Sequence, residues 1–363
     1  MSATPSQLQS VIDAFARGEL VVVVDDDDRE NEGDLFVAAS LCTPEKMAFI
    51  IRHTSGIVCA PLPPEEARRI RLDPMVSAND APLGTAFTVS VDFRHGLTTG
   101  ISAEERTNTV RALANGNAGP GDFVRPGHVF PLIAKEGGVL MRSGHTEACV
   151  DLCRMAGLPP VGVLAELMND DGTVMRGAQV TEFAHRHKLE RISVADLIAH
   201  RQSRETLVER VGEFSLDSEI GPLTGYSYIT PFEAVHHMAF VYGRITDGVG
   251  VPARLHRANV IEDVFGRGRT IHAALARFKA EGRGVLVYLR DGTAGVPTRA
   301  SPRNEETGSE TARIDLWREI GLGAQILRDL GISSIRLLAS KQRTYVGLAG
   351  FGIEIERTET LEG

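Results

Sequence analysis

The chain has 363 residues, a formal net charge of −9 and 42% hydrophobic residues. Because a single hydrophobic core rarely grows beyond about 250–300 residues, this length predicts two domains. The negative charge argues against a protein that binds nucleic acid non-specifically, but an anionic small substrate would need only a local basic cluster.

Membrane and secretory proteins are also disfavoured. No apolar run approaches the roughly 20 residues of a membrane span, and the first residues lack the charged and then apolar segments of a secretory signal. The chain has four cysteines and no Cys-x-x-Cys motif, which predicts a reduced, cytoplasmic protein without structural zinc. These cysteines are Cys42, Cys59, Cys149 and Cys153.

The first half begins with a helix and a buried strand. Leu8, Val11, Ile12 and Phe15 recur at helical spacing, and Gly18 ends the helix. Residues 21–24 are four consecutive valines, which predict a strand buried on both faces because β-branched side chains suit a pleated sheet.

A dense acidic loop follows this strand, at residues 25–34. Its crowded carboxylates repel one another unless a cation or a positive partner neutralises them, and carboxylate oxygens are the ligands that Mg²⁺ prefers. Arg29 adds a hydrogen-bond donor of the kind that binds phosphate, and Asn31 adds an amide. A solvated acidic turn is the alternative.

Further elements continue the α/β pattern. A helix is predicted from Pro44, a short strand at residues 56–60 and another at 87–91. Ser102 and Glu105 have the spacing of a capping box, which predicts a helix through Leu113.

Polar residues concentrate again between residues 127 and 166. His128 begins a predicted strand, and a second predicted strand at residues 137–141 leads into the turn Arg142–Thr146 at the start of a helix. A helix N-terminus with Arg142 and Gly144 suits a phosphate, and His145 stands where a metal could be reached. Glu166 ends a buried strand at residues 161–165, where a lone carboxylate is costly unless it is paired or bound to a cation.

Each of these residues also has an ordinary structural interpretation. A single histidine at a strand end is more often structural than catalytic, and Thr146 could be the N-cap of its helix. However, the polar residues all lie at strand ends of one α/β unit, where such folds place their sites. The pattern therefore predicts a Mg²⁺-dependent enzyme that transfers protons on a small phosphorylated substrate, without identifying that substrate.

Four motifs make a specific resemblance. Residues 25–34, 98–106, 126–132 and 144–148 resemble 3,4-dihydroxy-2-butanone 4-phosphate synthase, an enzyme of riboflavin biosynthesis, and the likeness covers roughly residues 6–200. That family converts D-ribulose 5-phosphate to the butanone phosphate and formate with Mg²⁺ or Mn²⁺, and it is typically dimeric. The resemblance implies a homodimer whose partners are the sugar phosphate and the metal, with no nucleic acid and no membrane.

The resemblance also implies roles for individual residues. Glu30 and His145 would bind the metal, and His128 and Glu166 would act in proton transfer. The residues implied in holding the substrate are Arg29, Glu30, Asp34, Arg142, Ser143, Gly144, His145, Thr146 and Glu166. A different Mg²⁺-dependent sugar-phosphate isomerase or aldolase is the alternative, and it would release no formate.

The second half begins after a predicted helix over residues 193–211 and a predicted linker over residues 213–221. We place the domains at residues 1–205 and 206–363. Alternating strand and helix patterns continue, with strands predicted at residues 226–229, 239–244, 251–256, 284–289 and 334–339 and helices at 270–279 and 323–330. The expected fold class is α/β or α+β in two domains, the first layered αβα.

The second half resembles GTP cyclohydrolase II in residues 263–266, 323–331 and 345–348. In that family three cysteines hold a catalytic zinc, but here those places are taken by Asn259, Thr270 and His272. One imidazole with an amide and a hydroxyl is a poor Zn²⁺ site, and no cysteine follows Cys153. The family's arginine-bearing loop is also altered, at residues 290–296.

We therefore expect a cyclohydrolase-like domain that binds no zinc and has lost GTP hydrolysis. His236 and His237 are interpreted as structural or surface residues. Two alternatives remain, a bifunctional enzyme that still hydrolyses GTP and a nucleotide-binding regulatory module.

Overall fold

The computed structural model describes residues 5–25, 31–81, 84–206, 208–231, 233–266, 268–290, 321–339 and 353–361. The chain divides into two compact units, Met1–Ile198 and Ala199–Gly363. In the described residues each unit contains one seven-stranded sheet. No helix in these ranges is long and apolar enough to span a membrane.

The first unit is a mixed sheet covered by helices. Its strands lie in the order β4-β5-β3-β6-β2-β1-β7. They are β1 (Val21–Val24), β2 (Gly33–Ala38), β3 (Cys59–Leu62), β4 (Val91–Phe93), β5 (Phe123–Ile133), β6 (Gly162–Glu166) and β7 (Glu190–Ser193). Its helices are α1 (Pro5–Ala16), α2 (Pro44–His53), α3 (Pro64–Arg69), α4 (Ala103–Leu113), α5 (His145–Met155), α6 (Ala178–His187) and α7 (Val194–Arg204), of which α7 crosses the boundary between the units.

The period-2 alternation of the strands divides this sheet into two buried faces. On one face Leu35 and Val163 belong to a core that includes Met47 of α2 and Val110 of α4. On the other face α5 packs so closely on β6 that a Cβ atom at Gly162 would overlap Cys149 Sγ. Helices therefore cover both faces, and the predicted αβα layering is confirmed.

Several local predictions are also confirmed. Val21–Val23 are fully buried in β1. Pro44 begins α2, where Thr43 Oγ1 accepts a hydrogen bond from Lys46 N–H. Ser102 and Glu105 form the capping box of α4 in both directions.

The predicted strand at residues 137–141 is wrong, because residues 138–140 form a turn of 3₁₀ helix. Gly137 and Gly138 have φ values of +87° and +62°, a left-handed backbone that cannot continue a strand. The turn is fixed to α5, since Val139 N–H donates to Asp151 Oδ2 at 2.8 Å.

The second unit has a sheet in the order β14-β13-β11-β12-β10-β9-β8. Helix α8 (Arg269–Glu281) packs on one of its faces with Phe278 and Leu275 in the core. Residues 321–329 are also helical. The strands are β8 (Glu209–Ser218), β9 (Gly221–Thr230), β10 (Glu233–Gly243), β11 (Val251–Arg257), β12 (Arg283–Leu289), β13 (Ser334–Ala339) and β14 (Glu354–Thr360).

The predicted linker at residues 213–221 is wrong as well. Residues 209–218 form β8, which pairs along its length with β9. Because β8 is an edge strand with mostly exposed side chains, its composition is that of a surface segment. The helix predicted to reach Val211 ends at Arg204, because the residues from Glu209 onward belong to β8.

We expect the substitution Gly162→Ala to lower the free energy of unfolding by about 1–3 kcal/mol, because the new methyl group would push α5 away from β6. Urea denaturation measures this change. Gly116→Ala is the matched control, since nothing lies within 4 Å of a Cβ atom there. Equal stability of the two variants would show that α5 accommodates the methyl group.

Candidate active site

Strand register brings separate polar residues to one face of the first sheet. Asp34 of β2 lies opposite Glu166 of β6, so their side chains point to the same side with Cβ atoms about 4.5–5.5 Å apart. Cys59 of β3 lies opposite both Leu164 of β6 and Phe130 of β5, which places them on that same face. Asp34 is buried, whereas Glu166 is exposed at the end of its strand.

The N-terminus of α5 covers this face. His145 is the first residue of α5, and its ring meets that of Phe36 edge-on at 6.0 Å between centroids. His145 Nδ1 lies 3.8 Å from Asp34 Oδ1. The structure therefore brings His145, Asp34 and Glu166 together on the same face of the sheet.

The turn before α5 differs in detail from its sequence interpretation. The N-cap is Gly144, so Thr146 is the second residue of the helix rather than its cap. The backbone at Gly144 is crowded, because a Cβ atom there would overlap the guanidinium of Arg142. Arg142, Ser143 and Thr146 are all buried.

Arg142 forms a buried ion pair. Its Nη1 donates to Glu147 Oε2 at 2.7 Å, and Glu147 Oε1 accepts from Lys135 N–H at 3.0 Å. Burial raises the pKa of Glu147, and the charge of Arg142 opposes that shift. The guanidinium of Arg142 thus has a carboxylate partner on one side. A phosphate-binding role for Arg142 stays a prediction.

His128 of β5 has a partner that the sequence did not identify. His128 Nδ1 lies 2.7 Å from Oδ2 of the buried Asp92 of β4, and His128 N–H donates to Asp92 Oδ1 at 2.8 Å. Because a carboxylate only accepts, Nδ1 donates to Asp92, and in the neutral form of the ring Nε2 then carries the lone pair. The side chains of His128 and Glu166 lie on the same face of the sheet. Because β3 lies between their strands, their backbones are roughly 10 Å apart, which is two inter-strand spacings.

The acidic loop connects β1 to β2. Glu32 N–H donates to Asp25 Oδ1 at 2.8 Å, and Glu32 pairs with Arg176 at 2.8 Å, which fixes the two ends of the loop. Two residues predicted at the site, Arg29 and Glu30, lie outside the described residues.

Cys59 is a member of this face that sequence reasoning assigned to the core. Burial raises the pKa of its thiol, and the charges of Glu166 and Asp34 raise it further. No sequence pattern indicates this placement, because only the pairing of β3 with β6 brings Cys59 close to the two carboxylates.

Several side chains on this face carry donor atoms of the kind that a hard divalent cation takes. Asp34 and Glu166 offer carboxylate oxygens and His145 an imidazole, a set that suits Mg²⁺ or Mn²⁺. The described residues by themselves contain no group of three or more His, Cys, Asp or Glu side chains placed to hold a metal. Glu30, the second predicted ligand, falls outside those residues.

In the second unit, hydrogen bonds hold the segment that stands where the cyclohydrolase family has its zinc site. Asp263 accepts from His256 Nε2 at 2.8 Å, from Tyr288 OH at 2.7 Å and from Asn259 N–H at 3.0 Å. Burial raises the pKa of Asp263, but these hydrogen bonds outweigh it and the pKa is lowered. The exposed ring of His272 is paired with Glu219 at 2.7 Å.

His237 is buried in β10, whereas His236 is exposed. His237 Nδ1 accepts from Arg290 N–H at 3.2 Å, and Nε2 has no hydrogen-bond partner among the described residues. Burial, reinforced by Arg290 and His236, lowers the pKa of His237 to about 4. His237 is therefore a neutral core residue at neutral pH. Most of the altered loop at residues 290–296, and the segment 345–348, lie outside the described residues.

Comparison with protein families finds a different family in each half of the chain. Residues 9–200 match the model of 3,4-dihydroxy-2-butanone 4-phosphate synthase, and residues 209–360 match that of GTP cyclohydrolase II. Two relatives from Arabidopsis thaliana span both regions. The bifunctional riboflavin biosynthesis protein RIBA 1, chloroplastic, is 45% identical over 96% of this chain and 68% of its own length. The monofunctional riboflavin biosynthesis protein RIBA 2, chloroplastic, is 43% identical over 96% of this chain and 76% of its own.

Two solved structures are similar. RibBX from A. baumannii, described as a two-domain 3,4-dihydroxy-2-butanone 4-phosphate synthase, has a TM-score of 0.80 and 35% identity over 97% of this chain and 99% of its own. A 3,4-dihydroxy-2-butanone 4-phosphate synthase in complex with two magnesium ions has a TM-score of 0.54 and 48% identity over 54% of this chain and 97% of its own.

We expect the stability of the second unit to fall as the pH drops from about 6.5 to about 4. The unfolded chain binds a proton at His237 near its ordinary pKa of 6.5, whereas the folded chain resists protonation down to about 4. The loss is up to about 1.4 kcal/mol per pH unit.

Calorimetry of the full chain across this pH range tests the expectation. His237→Gln should flatten the pH dependence, and the exposed neighbour variant His236→Gln, which removes only the smallest of the three causes, should keep most of it. The same slope in all three proteins would contradict a buried neutral His237.

Proposed function

The chain belongs to the 3,4-dihydroxy-2-butanone 4-phosphate synthase family, and we propose that its first unit converts D-ribulose 5-phosphate to L-3,4-dihydroxy-2-butanone 4-phosphate and formate in riboflavin biosynthesis. The observation that carries the proposal is the convergence of His145, Asp34 and Glu166 on one sheet face, with His128 held by Asp92 on the same face. A magnesium-bound relative supports the use of a divalent metal.

The reaction needs proton transfers between carbon and oxygen. The ketose phosphate is enolised and loses water, its carbon skeleton rearranges, and water is added as one carbon leaves as formate, so the overall reaction neither consumes nor releases water. His128 Nε2 can accept or return a proton, since Nδ1 is bonded to Asp92. Glu166 at the exposed end of β6 is the second proton carrier in the proposal.

Glu30 and His145 are the proposed metal ligands. A bound Mg²⁺ or Mn²⁺ ion would stabilise negative charge that develops on adjacent substrate oxygens. Arg29, Asp34 and the turn Arg142–Thr146 are proposed to hold the sugar phosphate at the N-terminus of α5, where the helix dipole favours negative charge.

Assembly as a homodimer and a cytoplasmic location complete the proposal. The four cysteines are all free and buried, in keeping with a reducing compartment.

We expect His145→Ala and Glu30→Ala to abolish formate release from D-ribulose 5-phosphate in the presence of Mg²⁺, because each removes a metal ligand. His95→Ala is the matched control, since His95 is an exposed histidine paired with Asp122 on the surface of the same unit. Thermal unfolding checks that the variants fold. Near-normal turnover in either site variant would refute the metal assignment.

We further propose that the second unit does not hydrolyse GTP and binds no zinc. The places of the three zinc cysteines hold Asn259, Thr270 and His272, which lack the thiolates that a zinc site of this kind needs. The backbone N–H of Asn259 is held there by the Asp263 carboxylate, which also accepts from His256 and Tyr288. One relative that has both regions is named monofunctional, so the presence of both regions does not by itself imply two activities.

The purified protein should release formate from D-ribulose 5-phosphate but none from GTP, and metal analysis should find no stoichiometric zinc. Asn259→Cys alone should not restore GTP hydrolysis, since two further ligands are missing. Formate from GTP would establish a bifunctional enzyme. Saturable GTP binding without turnover would instead favour a nucleotide-binding regulatory module.

A further inference from the structure

A short loop covers the hydrogen bond between Asp92 and His128. The loop, residues 98–102, precedes α4, and its Gly100 has a φ of +84°. A Cβ atom at Gly100 would overlap Asp92 Oδ2 and would also lie within 2.7 Å of His128 Nδ1. The backbone of Gly100 therefore packs directly on the Asp92–His128 pair, and only glycine fits there.

The loop is held in this position by the carboxylate of Glu105. Glu105 Oε1 accepts from both Thr98 N–H and Thr98 Oγ1, each at 2.7 Å. Glu105 Oε2 accepts from Ser102 Oγ at 2.8 Å and from Ser102 N–H at 3.4 Å. These bonds, chiefly those from Thr98, hold the pKa of Glu105 well below its usual range.

The bonds to Thr98 go beyond what helix capping requires. A capping box needs only the reciprocal contacts between the N-cap residue and the third helical residue, here Ser102 and Glu105. The second oxygen of Glu105 reaches back seven residues to the far end of the loop. Both ends of the loop are thus bonded to one carboxylate, with Gly100 between them.

The same helix is also bonded to the strand that carries Asp92. Thr109 Oγ1 of α4 accepts from Phe93 N–H at 2.9 Å and donates to Glu105 C=O at 3.0 Å. Asp92 precedes Phe93 in β4. Helix α4 therefore positions Asp92 from one side and the covering loop from the other.

We propose that Glu105 is a positioning residue for the reaction, which holds the loop at residues 98–102 over the Asp92–His128 pair and so maintains the orientation of the His128 ring. The inference rests on the proposed function only in giving His128 a proton-transfer role. Glu105 is partly exposed and acts through the loop without touching the reacting atoms.

The test compares Glu105→Gln with Glu104→Gln, a control change of the neighbouring carboxylate on the same helix. Glutamine keeps one acceptor oxygen but presents an NH₂ group where Glu105 accepts its other bonds, so the loop would be released at one end. We expect kcat for formate release to fall about tenfold with KM changed by less than about twofold, because ring orientation acts on the chemical step. Glu105→Asp, which keeps two acceptor oxygens, should recover most of the lost kcat.

A second readout follows the hydrogen bond itself. In protein labelled with ¹⁵N-histidine, the Nδ1–H resonance of His128, identified by its absence in His128→Gln, should lie downfield in the parent protein and in Glu104→Gln. It should be lost or exchange-broadened in Glu105→Gln. A purely structural role in capping α4 would lower the melting temperature but would leave both this resonance and kcat unchanged, and that result would overturn the proposal.

The two readouts separate the proposals. If the parent protein releases no formate, the proposed function fails, and the resonance alone then decides whether Glu105 positions His128. If formate is released and the Glu105→Gln variant keeps its kcat or its His128 resonance, the positioning role is refuted while the function stands.

Discussion

The antiparallel pairing of β2 with β6 is the constraint on which the first unit depends. Because side chains alternate along a strand, the register that places Asp34 opposite Glu166 also places Leu35 opposite Ala165 in the core on the other face. A shift by one residue would exchange the two faces. In β2 it would turn Asp34 towards the core residues Val22, Val37 and Val163, where an unpaired carboxylate is costly. Burial of the core face and formation of the polar face are therefore a single event.

Helix α5 completes that polar face because β6 begins with a glycine. Gly162 leaves room for Cys149, so α5 lies close to the sheet and its first residue, His145, reaches Asp34. The buried charges near this helix are paired, as Arg142 is with Glu147. Such pairs contribute little net stability, but removing one partner leaves an uncompensated buried charge. They fix the orientation of groups near the site more than they strengthen the fold.

In the second unit, hydrogen bonds to the Asp263 carboxylate hold the segment around Asn259 in place. Asp263 joins His256, Tyr288 and the backbone of Asn259, and the His256 and Tyr288 rings stack at 5.4 Å. A metal can hold a loop by drawing several ligands to one point, and a partly buried carboxylate with three donors does the same. Retention of a cyclohydrolase-like fold is thus compatible with the proposed loss of its chemistry.

Sequence by itself determined the features that depend on neighbouring residues. The buried valine strand, the start of α2 at Pro44 and the capping box of Ser102 and Glu105 follow from patterns within a few residues, and the long motifs identified the family. Local patterns failed at residues 137–141, where two left-handed glycines form a turn, and at β8, where an edge strand has the composition of a linker. Only the tertiary structure decided which distant residues meet. Asp92 beside His128, Cys59 beside Glu166 and Gly100 over the Asp92–His128 pair result from strand register and loop packing, which join residues far apart in the chain and leave no periodic signal in it.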